Sequence, residues 1–91
     1  MWYVYILKCN DNSYYVGSST NIEDRVKRHN QGKGAQYTKL RRPVTLVYVE
    51  RFDIKNLAER REIQIKKMSV INKEHLIKYG TGERFPSGNR I

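Results

Sequence analysis

Two hydrophobic periods alternate along the chain. Trp2 to Cys9 is rich in β-branched and aromatic residues and apolar on both faces, the pattern of a central strand. Asn-Asp-Asn-Ser at 10–13 is a turn cluster, and Tyr14 to Ser18 reads as the returning strand of a hairpin. Thr20 then stands as a helix cap, because Glu23, three residues on, completes a capping box. The helix is expected to run to about Asn30, with Gly32 ending it. Residues 32–43 hold two glycines and a proline and read as a loop. Thr45 to Arg51 is a third strand. Asp53 stands as the cap of a helix reaching about Met68, and Ser69 caps a last short helix that Gly80 terminates. Residues 81–91 show no periodicity and read as a flexible C-terminal tail beyond a folded domain of residues 1–80. The order ββαβαα predicts an α/β domain: a small, three-stranded, mostly antiparallel sheet flanked by three helices.

Placing the first helix at about 100° per residue makes Ile22 and Val26 its buried stripe. Arg25 and His29 fall within about 60° of that stripe, on one side of it, while Lys27 and Arg28 point away. In the hairpin, a three-residue turn at Asn10 to Asn12 sets Tyr5 opposite Gly17 and Leu7 opposite Tyr15. Tyr5 and Tyr15 then share a face, diagonal to each other at roughly 7–8 Å, and Gly17 leaves room above Tyr5 for a ligand or a ring. A two-residue turn would put the two phenols on opposite faces. The stripe of the second long helix is Ile54, Leu57, Ala58, Ile65 and Met68. Glu62 lies at its rim and Glu59 points away. Arg61 falls in the middle of the stripe, where it must snorkel or pair with an acid.

Charge sharpens the picture. Eighteen Lys and Arg face nine Asp and Glu, for a net +9. Residues 25–42 carry Arg25, Lys27, Arg28, Lys33, Lys39, Arg41 and Arg42 with no acid among them. A basic block beside aromatic residues suits a polyanion, and nucleic acid is the usual one. The single cysteine, Cys9, excludes an intramolecular disulfide and fits a reducing, cytoplasmic setting. One Cys and two His put a Cys/His zinc site out of reach. The longest apolar run, Val4 to Leu7, is too short to span a bilayer, so no membrane association is expected.

Tyr3-Val4-Tyr5, Tyr15-Val16-Gly17, Arg25 and His29 in RVKRHN, and Glu62 in LAERREIQIKKMS form an ordered set that resembles the GIY-YIG nuclease superfamily. The likeness covers residues 2 to about 79 and is nearest to the small stand-alone bacterial members. Tyr3 stands where the first signature has glycine, so only Tyr5 of that tripeptide carries over. The resemblance implies catalytic roles for Tyr5, Tyr15, Arg25, His29 and Glu62, with Glu62 holding Mg2+ or another divalent cation such as Mn2+. It also points to Asn72 as the one counterpart of a late site asparagine. It implies phosphodiester hydrolysis in nucleic acid, with DNA ahead of RNA. Gly17, Lys33, Lys39, Arg41 and Arg42 would then contact the strand, and targeting is left open to a protein partner.

The chemistry those residues could supply is simple. A lone carboxylate suits a Mg2+ that keeps most of its waters. A guanidinium can clamp a non-bridging phosphate oxygen where charge grows. Tyr5 or Tyr15 could take a water's proton if the nearby cations lower the phenol from its reference value near ~10, and His29 competes as base or relay. Two other readings compete: a nucleic-acid-binding module of this shape without turnover, and a protein-interaction domain whose basic face meets an acidic partner.

Overall fold

The computed structural model describes residues 1–84. Strands β1 (Trp2–Lys8), β2 (Tyr14–Ser19), β3 (Thr45–Phe52) and β4 (Glu83–Arg84) form one antiparallel sheet in the order β2-β1-β3-β4. The helices are α1 (Ile22–Asn30), α2 (Gln36–Lys39), α3 (Lys55–Lys66) and α4 (Val70–Tyr79). The α/β class and the ββαβαα order are those expected. The structure adds a four-residue helix within the basic loop and a two-residue strand at 83–84. The flexible tail predicted from residue 81 is therefore corrected for its first residues: β4 pairs with Tyr48 and Val49 on the open edge of β3, and the Gly82 N–H donates to Tyr48 Oη at 3.0 Å. Residues 85–91 of that expectation lie outside the described residues.

The hairpin closes by Cys9 N–H to Ser13 C=O (2.8 Å) and Asn12 N–H to Cys9 C=O (2.9 Å), with Asn12 left-handed at φ 68°. This is the three-residue turn, and it fixes Tyr5 opposite Gly17 and Leu7 opposite Tyr15. β1 is central and buries both faces. Val4 and Ile6 pack with Val16, Ala58 and Ile65 beneath α3, while Tyr5, Leu7 and Cys9 pack with Val26, Leu46 and Val49 beneath α1. A bulge in β3 after Leu46 shifts the register against β1, so Leu46 and Val49 share the α1 face while Val47 and Tyr48 share the other.

Both helix starts differ from the pattern. The cap of α1 is Asn21, whose side chain accepts from Asp24 N–H at 3.0 Å, while Thr20 is exposed. Asn outranks Thr as an N-cap, and Ser19 Oγ secures Asn21 by accepting its backbone N–H at 3.0 Å. Helix α3 starts from Ile54 with no side-chain cap, because Asp53 sits one residue too early to reach its free N–H groups. The end of α1 is as expected: Gly32 N–H bonds His29 C=O and Lys33 N–H bonds Arg28 C=O, a Schellman close.

The predicted stripe of α3 is narrower than the pattern. Ile54 and Leu57 are 55% and 44% exposed, while Ala58 and Ile65 are fully buried. Arg61 takes the centre of the buried face because it pairs with an acid: Nε and Nη2 reach Glu50 Oε1 and Oε2 at 2.8 and 3.0 Å. Tyr48 Oη donates to the same carboxylate at 2.7 Å. Burial raises the Tyr48 phenol to about 12, with Glu50 adding to the rise. Burial also pushes the Glu50 carboxyl up, but the hydrogen bonds from Arg61 and Tyr48 outweigh it and hold it below its ordinary value. Among the described residues, no helix is long and apolar enough to cross a membrane.

Arg61→Ala should therefore destabilise the fold by about 2 kcal/mol, less than the roughly 3–5 of a fully buried pair, because Arg61 keeps some contact with water. Glu50 has its folded value depressed, so its contribution is present above the ordinary carboxylate value and lost as pH falls through the folded one. Urea unfolding of wild type should weaken through that acid window, and Arg61→Ala should flatten the decline.

Candidate active site

The register of β1 against β2 sets the floor of the site. A Cβ placed on Gly17 would sit 2.5 Å from Tyr5 Oη and 3.2 Å from Tyr15 Cε2. The space above Gly17 is thus filled by the Tyr5 ring itself. Tyr5 and Tyr15 lie on one face with ring centroids 6.5 Å apart. Helix α1 buries Val26 and His29, half-buries Ile22 and Arg25, and leaves Lys27 and Arg28 in solvent, as its periodicity requires. His29 is fully buried, with its ring 4.9 Å from Tyr15 and 6.0 Å from Tyr5.

The polar contacts of His29 define a directed chain. Tyr5 Oη lies 3.0 Å from Nε2, and Thr38 Oγ1 lies 2.8 Å from Nδ1. Thr38 Oγ1 also donates its one proton to the Ala35 carbonyl at 3.1 Å. Thr38 is fully buried on α2 and was not legible in the sequence, where it stands in an aperiodic basic loop. Gly34 was missed as well: a Cβ there would land on the imidazole, so only glycine lets the loop close over His29. Its signal was the spacing of two glycines just after the helix.

Burial lowers His29 to about 4, and the Arg25 cation adds to the fall. Tyr5 is raised well above its ordinary value, by burial first and by Tyr15 second; Arg25 pulls it part of the way back, and Glu62 pushes it up. The expectation that the local cations would bring Tyr5 down into the range of a base is corrected here, because desolvation outweighs them. Tyr15 is half-buried, and among the described residues its hydroxyl has no hydrogen-bond partner. Its ring stacks on Tyr37 at 6.2 Å, and Arg41 lies over the Tyr37 ring at 3.8 Å.

Glu62 comes from the opposite face of the sheet. It is held at β2, an edge strand, where Ser18 Oγ donates to Oε1 at 2.5 Å and Lys66 Nζ approaches Oε2 at 2.7 Å. Its charge still acts on the Tyr5 phenol. Among the described residues no three His, Cys, Asp or Glu side chains cluster. A single carboxylate beside a hydroxyl is a hard oxygen set, and it fits a Mg2+ or Mn2+ that retains most of its water. Asn72 is exposed on α4; its backbone N–H bonds the Ser69 cap, and the structure gives its side chain no hydrogen bond among the described residues.

The basic loop divides in two. The Arg41 guanidinium bonds Asp11 Oδ2 (3.1 Å) and the Tyr37 carbonyl (2.8 Å), and Arg42 bonds the Lys39 and Asn30 carbonyls (3.0 and 3.4 Å), so both hold the loop to the body. Lys33 and Lys39 are exposed.

A sheet hairpin carrying two phenols, a helix carrying Arg25 and His29, and a carboxylate held at the edge strand all belong to one small α/β domain. The GIY-YIG catalytic domain model matches residues 1–74, and the chain belongs to the GIY-YIG family. Within that family it is similar to the UPF0213 protein of Staphylococcus haemolyticus, 57% identical over 82% of this chain and 92% of that one. The UPF0213 protein of Natronomonas pharaonis is 50% identical over 88% and 94% of the two chains. The solution NMR structure of a UPF0213 protein from Bacillus halodurans superposes with a TM-score of 0.56, at 44% identity over 86% of this chain and 84% of that one.

The imidazole of His29 should stay neutral down to about pH 5 in NMR titrations, with the second histidine removed by His75→Gln for assignment. Its folded value lies below the ordinary one, so the unfolded chain binds more protons between about 6.5 and about 4. Stability should therefore fall as pH drops through that window and level off below it, and His29→Gln should remove this slope from urea midpoints.

Proposed function

We propose that the protein is a divalent-metal-dependent endonuclease that hydrolyses phosphodiester bonds, with DNA as the preferred nucleic acid. The observation that carries the reading is that Tyr5, Tyr15 and His29 pack together while the charges of Arg25 and Glu62 both act on the Tyr5 phenol. Membership of the GIY-YIG family supports it. Glu62, with the Ser18 hydroxyl, would hold the cation once Lys66 gives up its oxygen. A cation there supplies Lewis-acid activation of water and neutralises developing charge.

The chain's own groups divide the remaining work. Arg25, half-buried, clamps a non-bridging phosphate oxygen through paired N–H donors. Tyr15 is the phenol at the mouth with an uncommitted hydroxyl, so it is favoured over Tyr5 as the group that takes the water's proton. Lys33 and Lys39 track the flanking phosphates, and Arg41 and Arg42 add charge while bracing the loop. The cytoplasm is the proposed compartment, where one buried, unpaired Cys9 stays reduced. A protein partner could supply targeting.

A panel of supercoiled, branched and single-stranded DNA, with RNA alongside, tests the reading in Mg2+ and in EDTA. Wild type should cut only with the metal. Arg25→Ala and Glu62→Ala should each lose about 100-fold or more in rate, while Lys27→Ala stays within about twofold. Glu62→Ala should still bind DNA, with affinity falling steeply with salt. Binding without cutting by the wild type would instead favour the module without turnover. No binding even at low salt would favour the interaction domain.

A further inference from the structure

We infer that Thr38 is a positioning residue that sets the polarity of the Tyr5–His29 pair, so that Tyr5 presents a lone pair to Arg25 and not a proton. This rests on the nuclease reading for its consequence in catalysis, but its geometry stands by itself.

The direction follows from counting protons. Thr38 has one hydroxyl proton, and a carbonyl only accepts, so that proton lies on the 3.1 Å contact to the Ala35 oxygen. Toward His29 the same hydroxyl must accept, and the 2.8 Å contact therefore puts the imidazole proton on Nδ1. A neutral imidazole has one N–H, so Nε2 is bare. Tyr5 must then donate to it across 3.0 Å. The lone pairs left on Tyr5 Oη are free to accept, and the charge of the Arg25 guanidinium acts on that phenol. Every group in the chain is buried or half-buried, so water does not scramble the order.

The opposite tautomer inverts the result. With the proton on Nε2, His29 would donate to Tyr5, and the phenol proton would turn toward a guanidinium that is itself only a donor. The Arg25 charge would then face the phenol's proton in place of its lone pair. Thr38 is nine residues along the chain from His29 and touches neither Tyr5 nor Arg25 in any described hydrogen bond, yet it decides which atom of Tyr5 faces the cation. In this arrangement the proton of Tyr5 is committed to His29, and its lone pairs face the Arg25 charge.

The test uses protein with 15N-labelled histidine carrying His75→Gln, and compares wild type, Thr38→Val and Thr38→Ser. The imidazole 15N shifts of wild type should show a protonated Nδ1 and a bare Nε2 at neutral pH. Thr38→Val keeps the shape and removes the acceptor; it should raise the Nε2–H tautomer and lower kcat for DNA cleavage about 10–100-fold with little change in KM. Thr38→Ser should restore both. A wild-type imidazole protonated on Nε2 overturns the inference, whether or not Thr38→Val folds. So does a Thr38→Val protein that keeps the wild-type tautomer or the wild-type kcat. Wild type that shows the Nδ1–H tautomer but cuts no nucleic acid would sink the nuclease reading and leave the polarity of the chain intact.

Discussion

The structure hangs on the register between β1 and β2. With Tyr5 opposite Gly17, a full phenol ring fits over a position that has no side chain, and the hydroxyl is carried to the foot of α1. A slip of one residue would send every side chain of β2 to the other face. Tyr15 would leave Tyr5 and His29, and Val16 would leave the core under α3. The turn at Asn10 to Asn12 is what holds this register, through the left-handed Asn12 and the two hydrogen bonds of Cys9.

The second constraint is that β2 lies at the edge of the sheet. The phenols, Arg25 and His29 lie on the α1 face, while α3 packs on the other. A carboxylate from α3 can act on them only where the sheet stops, and Glu62 is held there by Ser18 of that edge strand. The same helix uses Arg61, one residue earlier, to bind Glu50 and fix its own rotation. A rotated α3 would strand both charges of this part-buried pair.

The basic loop has a double role. Its net charge suits a polyanion, yet two of its arginines are engaged in building it: Arg41 clamps Asp11 and Tyr37, and Arg42 ties the loop back to Lys39 and Asn30. The loop so formed presses Gly34 and Thr38 against His29 and seals the imidazole from water. That seal accounts for a histidine that stays neutral and a phenol that stays protonated within reach of a guanidinium. Desolvation is the larger effect on both groups.

The order of elements and the direction of Arg25 and His29 were legible along the chain, because a local period sets each, and the face shared by Tyr5 and Tyr15 followed once the three-residue turn was taken. Caps were less legible: Asn21 displaced Thr20 and Asp53 fell one residue short, since neighbouring polar residues compete for the same N–H groups. Packing alone fixed the partner of Arg61, the short helix α2, the pairing of Glu83 and Arg84, the place of Glu62 at the edge strand, and Thr38 beneath His29. These depend on contacts between segments far apart in the chain, from Thr38 on His29 to Ser18 on Glu62. No local period encodes which buried polar group will find which partner; that is settled by packing, when each must be satisfied at once.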